Sequence, residues 1–138
     1  MKKEYQKEEW IVKQFETLKN SRDFTAVYQK GKSLANRYLV MYIMKNNRQN
    51  NRFGISVSKK VGNSVIRHRA TRLIRESVRL HGEKIEQGYD IVLIARPTVK
   101  GKGFADVESA FLHLTKLHHL FVKGNQNENN EKSVDILY

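Results

Sequence analysis

The segment SKKVGNSVIRHRATRLIRE, residues 58–76, carries more positive charge than an ordinary surface helix, yet its apolar residues recur at helical spacing. Gly62 ends the preceding strand, and Asn63 or Ser64 can cap a helix that reaches about Leu80. At about 100° per residue, one stripe of this helix is mostly apolar and comprises Ile66, Ala70, Leu73, Ile74, Ser77 and Leu80. The opposite stripe is cationic and comprises His68, Arg72, Arg75 and Arg79. The pattern predicts a helix that packs on a core with one side and exposes cations on the other.

The charge of this helix indicates a polyanionic partner. The chain has 26 Lys and Arg against 14 Asp and Glu, a formal net charge of +12, and residues 59–79 contain seven of these cations with one carboxylate, Glu76. Like charges four residues apart destabilise a helix by a few tenths of a kcal/mol per pair. The cations of the helix are arginines, which bind phosphate with two parallel hydrogen bonds. We therefore favour a nucleic-acid surface over a solvated face. An anionic membrane would also require bulky apolar residues beside the cations.

Periodicity and turn residues along the chain predict a mixed α+β architecture, a sandwich with a four-stranded sheet under helices. The predicted elements are a helix at about 22–30, strands at 32–36, 38–45 and 52–58, the basic helix, a strand at 89–97 and a helix at 104–123. The last helix is expected to bury Leu117 and Phe121, among others. The stretch VKGKGF before it is read as a glycine-rich basic loop.

The length of 138 residues indicates one domain, and we assign residues 20–124 to it. Residues 1–19 are read as an N-terminal extension with an amphipathic helix around Trp10, and residues 125–138 as a disordered tail. No apolar run approaches the roughly 18 residues of a membrane-spanning helix. The chain has no cysteine, which excludes disulfides, a thiol nucleophile and thiolate metal ligands. These features predict a cytoplasmic protein without membrane contact.

Aromatic side chains favour single-stranded RNA as the ligand. Phe24 and Tyr28 share a face of the first helix, and Tyr38 and Tyr42 alternate along the long strand. Stacking of an unpaired base on such a ring stabilises by about 1–3 kcal/mol. Small residues of the next strand, beginning with Gly54, would leave room for the RNA. The alternative is that these rings belong to the core. For Phe24 the two readings are equally supported, whereas the polar tips of Tyr28 and Tyr42 favour a cleft wall.

The residues ANRYLVMYIM…RFGISVSKKVGNSVIRHRATRLIRE resemble the protein subunit of bacterial ribonuclease P. The resemblance extends from about Leu18 to Lys123. It implies an αβββαβα fold with a left-handed βαβ crossover. It also implies a large catalytic RNA as partner, which removes the 5′ leader of precursor transfer RNA by hydrolysing one phosphodiester bond. Catalysis is then expected from the RNA, and the Mg²⁺ that supports it is expected to be held by the RNA.

The resemblance assigns roles to two groups of residues. The residues expected to bind the catalytic RNA are Lys59, Lys60, Asn63, Arg67, His68, Arg69, Arg72 and Arg75. The residues expected to form the cleft for the single-stranded leader are Phe24, Tyr28 and Tyr42. Two positions depart from the family pattern: His68 stands where asparagine is usual, and Thr71 where lysine or arginine is usual.

Two other functions are compatible with parts of the sequence. A structural or ribosomal-type RNA-binding protein would explain the basic helix but not the 58–76 motif with the aromatic residues. A self-sufficient nuclease would need a histidine pair or paired carboxylates. His118 and His119 are adjacent and face different ways, and Asp90 and Asp106 are read as lone loop or cap residues. We therefore predict no catalytic residue, no protein metal site and no obligate protein partner.

Overall fold

The computed structural model describes residues 15–123, which form eight helices and strands in a mixed α+β fold. In chain order these are β1 (Phe15–Thr17), α1 (Ser21–Lys30), β2 (Lys32–Ala35), β3 (Leu39–Lys45), β4 (Asn51–Ser56), α2 (Ser64–His81), β5 (Tyr89–Ala95) and α3 (Phe104–Leu117). Short 3₁₀ turns at Gly82–Lys84 and Pro97–Val99 flank β5. The predicted α+β class and the order of the elements from α1 onward are confirmed.

The sheet has five strands in the order β1-β4-β5-β3-β2, so the prediction of four strands was wrong. The additional strand is β1, which pairs in parallel with β4 at the sheet edge. We had assigned it to the extension and to a helix around Trp10, because three residues are too few to show a period of two. Leu18, next to the strand, is buried and donates its amide to the carbonyl of Phe53 at 2.8 Å. Residues 1–14 and the tail at 125–138 lie outside the described residues.

Strands β4 and β5 are parallel neighbours joined through α2, so β4-α2-β5 is a βαβ unit. Strand β3 runs antiparallel to both β5 and β2. The left-handed sense of the crossover stays a prediction from the resemblance.

Helices cover both faces of the sheet, which explains why β5 is almost continuously apolar. On one face α2 and α3 pack against the strands, with Ile74 and Phe111 among the fully buried side chains. On the other face α1 contributes Val27, which is buried with Leu18 and Val92. The larger core thus lies under α2 and fixes its apolar stripe, which leaves the cationic stripe outside.

Two predicted details of the helices differ. Leu80, placed on the apolar stripe of α2, is 45% exposed near the end of that helix. Helix α3 ends at Leu117, which is exposed, instead of continuing to residue 123. His119 adopts a positive φ of 58°, and the turn places Leu120 in the core, while Phe121 forms a β-bridge with Ile85. Within residues 15–123, no helix is long and apolar enough to cross a membrane.

Candidate nucleic-acid interface

Helix α2 exposes a row of arginines on the side away from the core. Arg72 and Arg75 are exposed, and among residues 15–123 neither they nor the half-buried Arg67 form an ion pair. Arg79 differs, because its guanidinium donates two hydrogen bonds to Glu76. Those bonds lower the pKa of Glu76 below its ordinary value. The stripe therefore keeps positive charge that the described part of the protein does not neutralise.

The turn before α2 adds two exposed lysines, Lys59 and Lys60. Val61 is buried and anchors the turn, and its amide donates to the carbonyl of Ser58 at 3.1 Å. Asn63 caps the helix, since its side-chain oxygen accepts the amide of Ile66 at 3.0 Å. The asparagine expected to bind RNA thus also holds the first turn of α2.

The remaining predicted RNA-binding residues do not all point to one surface. His68 is exposed and lies one turn before Arg72. Arg69 instead reaches the loop after β5, where its Nη2 donates to the carbonyl of Lys102 at 3.3 Å. Thr71, at the position of a usual cation, donates its hydroxyl to the carbonyl of Arg67 at 2.9 Å. This position therefore supplies no charge to the stripe.

The three aromatic residues predicted for the leader cleft are brought together by α1 and β3. The ring centroids of Phe24 and Tyr28 are 6.3 Å apart, and those of Tyr28 and Tyr42 are 5.1 Å apart in an edge-to-face arrangement. Tyr28 is 39% exposed, whereas Phe24 and Tyr42 are half-buried. We call these three residues the aromatic cluster. Tyr28 is its most accessible member.

Phe24 occupies part of the space that the small residues were expected to leave for RNA. A Cβ added at Gly54 would lie 2.6 Å from Cζ of Phe24, so the ring lies directly over this glycine. Phe24 also packs against the small core that contains Leu18 and Val27. Phe24 therefore lies between the sheet and the rest of the aromatic cluster, and Tyr28 and Tyr42 form the accessible part of the cluster.

Tyr38 does not join the aromatic cluster, contrary to our prediction. Strand β3 begins only at Leu39, and the amide of Tyr38 donates to the side-chain oxygen of Asn36 in a tight turn at 3.2 Å. The alternation that would align Tyr38 with Tyr42 therefore does not extend to it. Its ring packs on the larger core and lies under the ammonium group of Lys102, 5.7 Å from the ring centroid.

An ion-pair network that the sequence analysis missed fixes α1 on the sheet. Arg52 on β4 donates to both carboxylate oxygens of Asp90 on β5, at 2.8 and 2.6 Å, and reaches Asp23 on α1 at 3.3 Å. The hydrogen bond to Asp90 raises the pKa of Arg52 above its ordinary value. Asp90 is 1% exposed and lies within a strand, so our interpretation of it as a loop or cap residue was wrong. The alternation of β4 placed Arg52 outward but gave no sign of its partners.

Several histidine and carboxylate side chains, the kinds of group that a nuclease site would need, make contacts within the fold. Nε2 of His118 is buried and donates to the carbonyl of Met41 at 2.9 Å, and His81 lies 2.8 Å from Glu108. Asp106 caps α3, accepting the amide of Gly103 at 3.2 Å, as predicted. Among the described residues, no group of three His, Cys, Asp or Glu side chains could hold a metal ion.

Comparison with known proteins agrees with these features. The family model described as Ribonuclease P matches residues 12–119. The chain belongs to the ribonuclease P protein family. The ribonuclease P protein component of Lachnoclostridium phytofermentans is 54% identical over 114 residues, which cover 83% of this chain and 98% of that protein. That of Alkaliphilus metalliredigens is 54% identical over 99 residues, covering 72% and 89% of the two chains.

Solved structures of ribonuclease P proteins share the fold. The Staphylococcus aureus protein superposes with a TM-score of 0.72 at 37% identity, covering 77% of this chain and 97% of that one. The Thermotoga maritima protein gives a TM-score of 0.69 at 34% identity, covering 79% and 99%. As the protein component of ribonuclease P, the chain is a subunit of an endoribonuclease that processes the 5′ end of transfer RNA. Its partner is the RNA of ribonuclease P, which performs the catalysis.

Proposed function

We propose that α2 and the turn before it bind the catalytic RNA, and that the aromatic cluster holds the 5′ leader of precursor transfer RNA. The observation that carries the proposal is the row of exposed arginines on α2, with Arg72 and Arg75 unpaired within residues 15–123. Uncompensated cations at helical spacing are unfavourable in the isolated protein, and a phosphate backbone removes that cost. Phosphate contacts fix position without reading sequence, which suits a structural RNA surface.

The geometry of the aromatic cluster supports a stacking site for unpaired bases. The edge-to-face contact with Tyr42 holds the ring of Tyr28 in place, while Tyr28 stays 39% exposed. A ring that is already fixed loses little conformational freedom when a base stacks on it. Stacking is tolerant of sequence because every base has a π-face. A single-stranded leader therefore fits this surface better than a duplex, whose bases are already stacked.

Three further expectations belong to this proposal. Mg²⁺ is held by the RNA partner, precursor transfer RNA is the substrate contacted by the protein, and the complex works in the cytoplasm. For the first of these, Asp106 is used in capping α3 and Asp90 in pairing with Arg52, and the acidic side chains of residues 15–123 form no three-ligand cluster.

Salt-dependent binding tests the role of α2. The dissociation constant for ribonuclease P RNA is measured at several salt concentrations for the unmodified protein, Arg72→Ala and Arg75→Ala. Each lost phosphate contact should weaken binding and lower the slope of log Kd against log salt by about 0.7 to 0.9. Arg79→Ala is the matched control, because Arg79 lies on the same helix but is engaged by Glu76, and its effect should be smaller. Slopes unchanged in Arg72→Ala and Arg75→Ala would contradict the proposal.

A cleavage assay separates this function from a purely structural RNA-binding role. Precursor transfer RNA is incubated with the protein, with ribonuclease P RNA, and with both together. We expect the 5′ leader to be removed when the RNA is present, and more efficiently with the protein added. An RNA-binding protein of the structural or ribosomal type would bind RNA without improving leader removal.

A further inference from the structure

A second group of cations lies on the loop between β5 and α3. Residues 96–103 contain Arg96, Lys100 and Lys102 and no acidic residue. The first carboxylate that follows, Asp106, is occupied as the cap of α3. Arg96 and Lys100 are exposed, and so is Arg37 in the turn that this loop contacts. The role proposed above for α2 does not account for this group.

Strand register places these cations at the same end of the sheet as the turn that leads into α2. Ser56, the last residue of β4, pairs with Ile94, and Ala95, the last residue of β5, pairs with Leu39 at the start of β3. Lys59 and Lys60 follow β4, Arg96 follows β5, and Arg37 precedes β3. Three chain segments that are distant in sequence therefore lie at one end of the sheet, and one of them leads directly into α2.

Specific contacts hold the loop against its neighbours. Arg96 donates its amide to the carbonyl of Tyr38 at 2.9 Å and a guanidinium hydrogen to the carbonyl of Asn36 at 2.6 Å. Lys102 lies over the ring of Tyr38. Arg69 of α2 donates to the carbonyl of Lys102, so the loop and the basic helix are directly linked. The cations are thus presented from an anchored loop beside α2.

We propose that Arg37, Arg96, Lys100 and Lys102 form a second phosphate-binding surface, continuous with α2, for the backbone of the same catalytic RNA. This inference rests on the proposed role of α2. Lysines contact phosphate as point charges, so the surface adds affinity and orientation but no base recognition. A lipid surface fits less well, because no large hydrophobic side chain of the loop is exposed: Val99 is buried. With contacts on two sides of Arg69, the RNA cannot rotate freely about α2.

The first test measures salt-dependent binding of ribonuclease P RNA to the full chain carrying Lys100→Gln and Lys102→Gln together. Loss of two phosphate contacts should raise Kd and lower the slope of log Kd against log salt by about 1.5. The matched control removes two exposed lysines at the opposite end of the sheet, by Lys45→Gln with Lys84→Gln. It makes the same change in net charge, so its slope should stay near that of the unmodified protein.

The outcomes separate the two proposals. If Lys100→Gln with Lys102→Gln behaves like the control while Arg72→Ala weakens binding, the second surface is wrong and the role of α2 stands. If neither Arg72→Ala nor Lys100→Gln with Lys102→Gln changes the slope of log Kd against log salt, the proposed role of α2 is wrong, and so is this inference. Thermal unfolding of each variant checks the fold, and Lys100→Gln alone leaves the contact between Lys102 and Tyr38 intact.

A second measurement tests contact directly. Because the chain has no cysteine, Lys100→Cys or Lys84→Cys creates a single attachment point for an iron–EDTA probe that cleaves nearby RNA. In the reconstituted complex, the probe at position 100 should cut ribonuclease P RNA at defined nucleotides, and the probe at position 84 should not. Equal cutting from both positions, or none from position 100, would overturn the proposed surface.

Discussion

At the scale of single residues, aromatic side chains of similar chemistry differ in how far they are exposed to solvent. Phe24 fills the space over Gly54, Tyr42 is half-buried, and Tyr28 next to them is the accessible ring. Tyr38 has the same chemistry but lies under Lys102, away from the aromatic cluster. Residue type alone therefore does not separate a stacking ring from a packing ring. Its position relative to the neighbouring rings does.

The exposed ring of Tyr28 gives a prediction for substrate binding. Tyr28→Ala should weaken binding of precursor transfer RNA by about 1–3 kcal/mol, the contribution of one stacked base. Binding of mature transfer RNA, which lacks the leader, should be nearly unchanged. Tyr28→Phe keeps the ring and should bind both ligands as the unmodified protein does. The measurement is the affinity of the reconstituted complex for each of the two RNAs. Equal losses of affinity for both would show that Tyr28 packs within the protein and does not stack on the leader.

His118 makes stability depend on pH. Burial lowers the pKa of His118 below its ordinary value of 6.5, and the nearby charges of Lys32 and His119 act in the same direction. The unfolded chain therefore takes up a proton below about pH 6.5 more readily than the folded one does. The resulting stability is complete above about pH 6.5 and is lost as pH falls through the lower pKa of the folded state.

Urea unfolding between about pH 5 and pH 7.5 tests this dependence on His118. His118→Gln does not titrate, so its free energy of unfolding should change less with pH than that of the unmodified protein. His68→Gln is the matched control, because His68 is exposed on α2 and is not among the charges that act on His118. Identical pH profiles for all three proteins would show that His118 does not carry the effect.

At the scale of elements, the position of α1 depends on an ion-pair network as well as on apolar packing. Arg52 is 15% exposed and bridges the buried Asp90 to Asp23 on the first turn of α1. Asn46 adds a hydrogen bond to Asp90 at 2.9 Å. Because α1 carries Tyr28, this network helps to set the distance between Tyr28 and Tyr42.

Removing different members of the network should have different effects. Arg52→Met leaves Asp90 buried without its cation and should lower the free energy of unfolding by about 3–5 kcal/mol. Asp23→Asn removes only the more exposed partner and should cost less than about 1 kcal/mol. It should nevertheless loosen the start of α1 and reduce leader-dependent affinity. Urea unfolding and binding of precursor transfer RNA measure the two effects, and similar stability losses for both variants would contradict this division.

At the scale of the whole molecule, the sheet separates the proposed binding surfaces. Helices α2 and α3 cover one face and α1 the other, so the basic stripe and the aromatic cluster arise on different sides of the strands. A protein of this size can therefore contact the catalytic RNA and a substrate strand at once without their competing for one surface.

Elements whose side chains repeat with a local period could be predicted from the sequence. The 3.6-residue pattern of α2 and the alternation of β4 depend only on neighbours in the chain, so the core stripe and the arginine stripe could be predicted. The family could be recognised from the motif between Ser58 and Glu76 for the same reason, because the residues of the motif are contiguous in the chain. The end of α3 was predicted wrongly, because the helical pattern continues to residue 123 whereas the chain turns after Leu117 and buries Leu120 in the core.

Contacts between residues that are distant in sequence could be seen only in the folded structure. Strand β1 is stabilised by pairing with β4, and a three-residue strand has no pattern of its own that would reveal it. The partners of Arg52 come from α1 and β5, and Lys102 meets Arg69 and Tyr38 across three different segments. Such contacts depend on strand order and register, which are set by the burial of the whole core. Local periodicity contains no information about them, because it describes only which way each side chain faces.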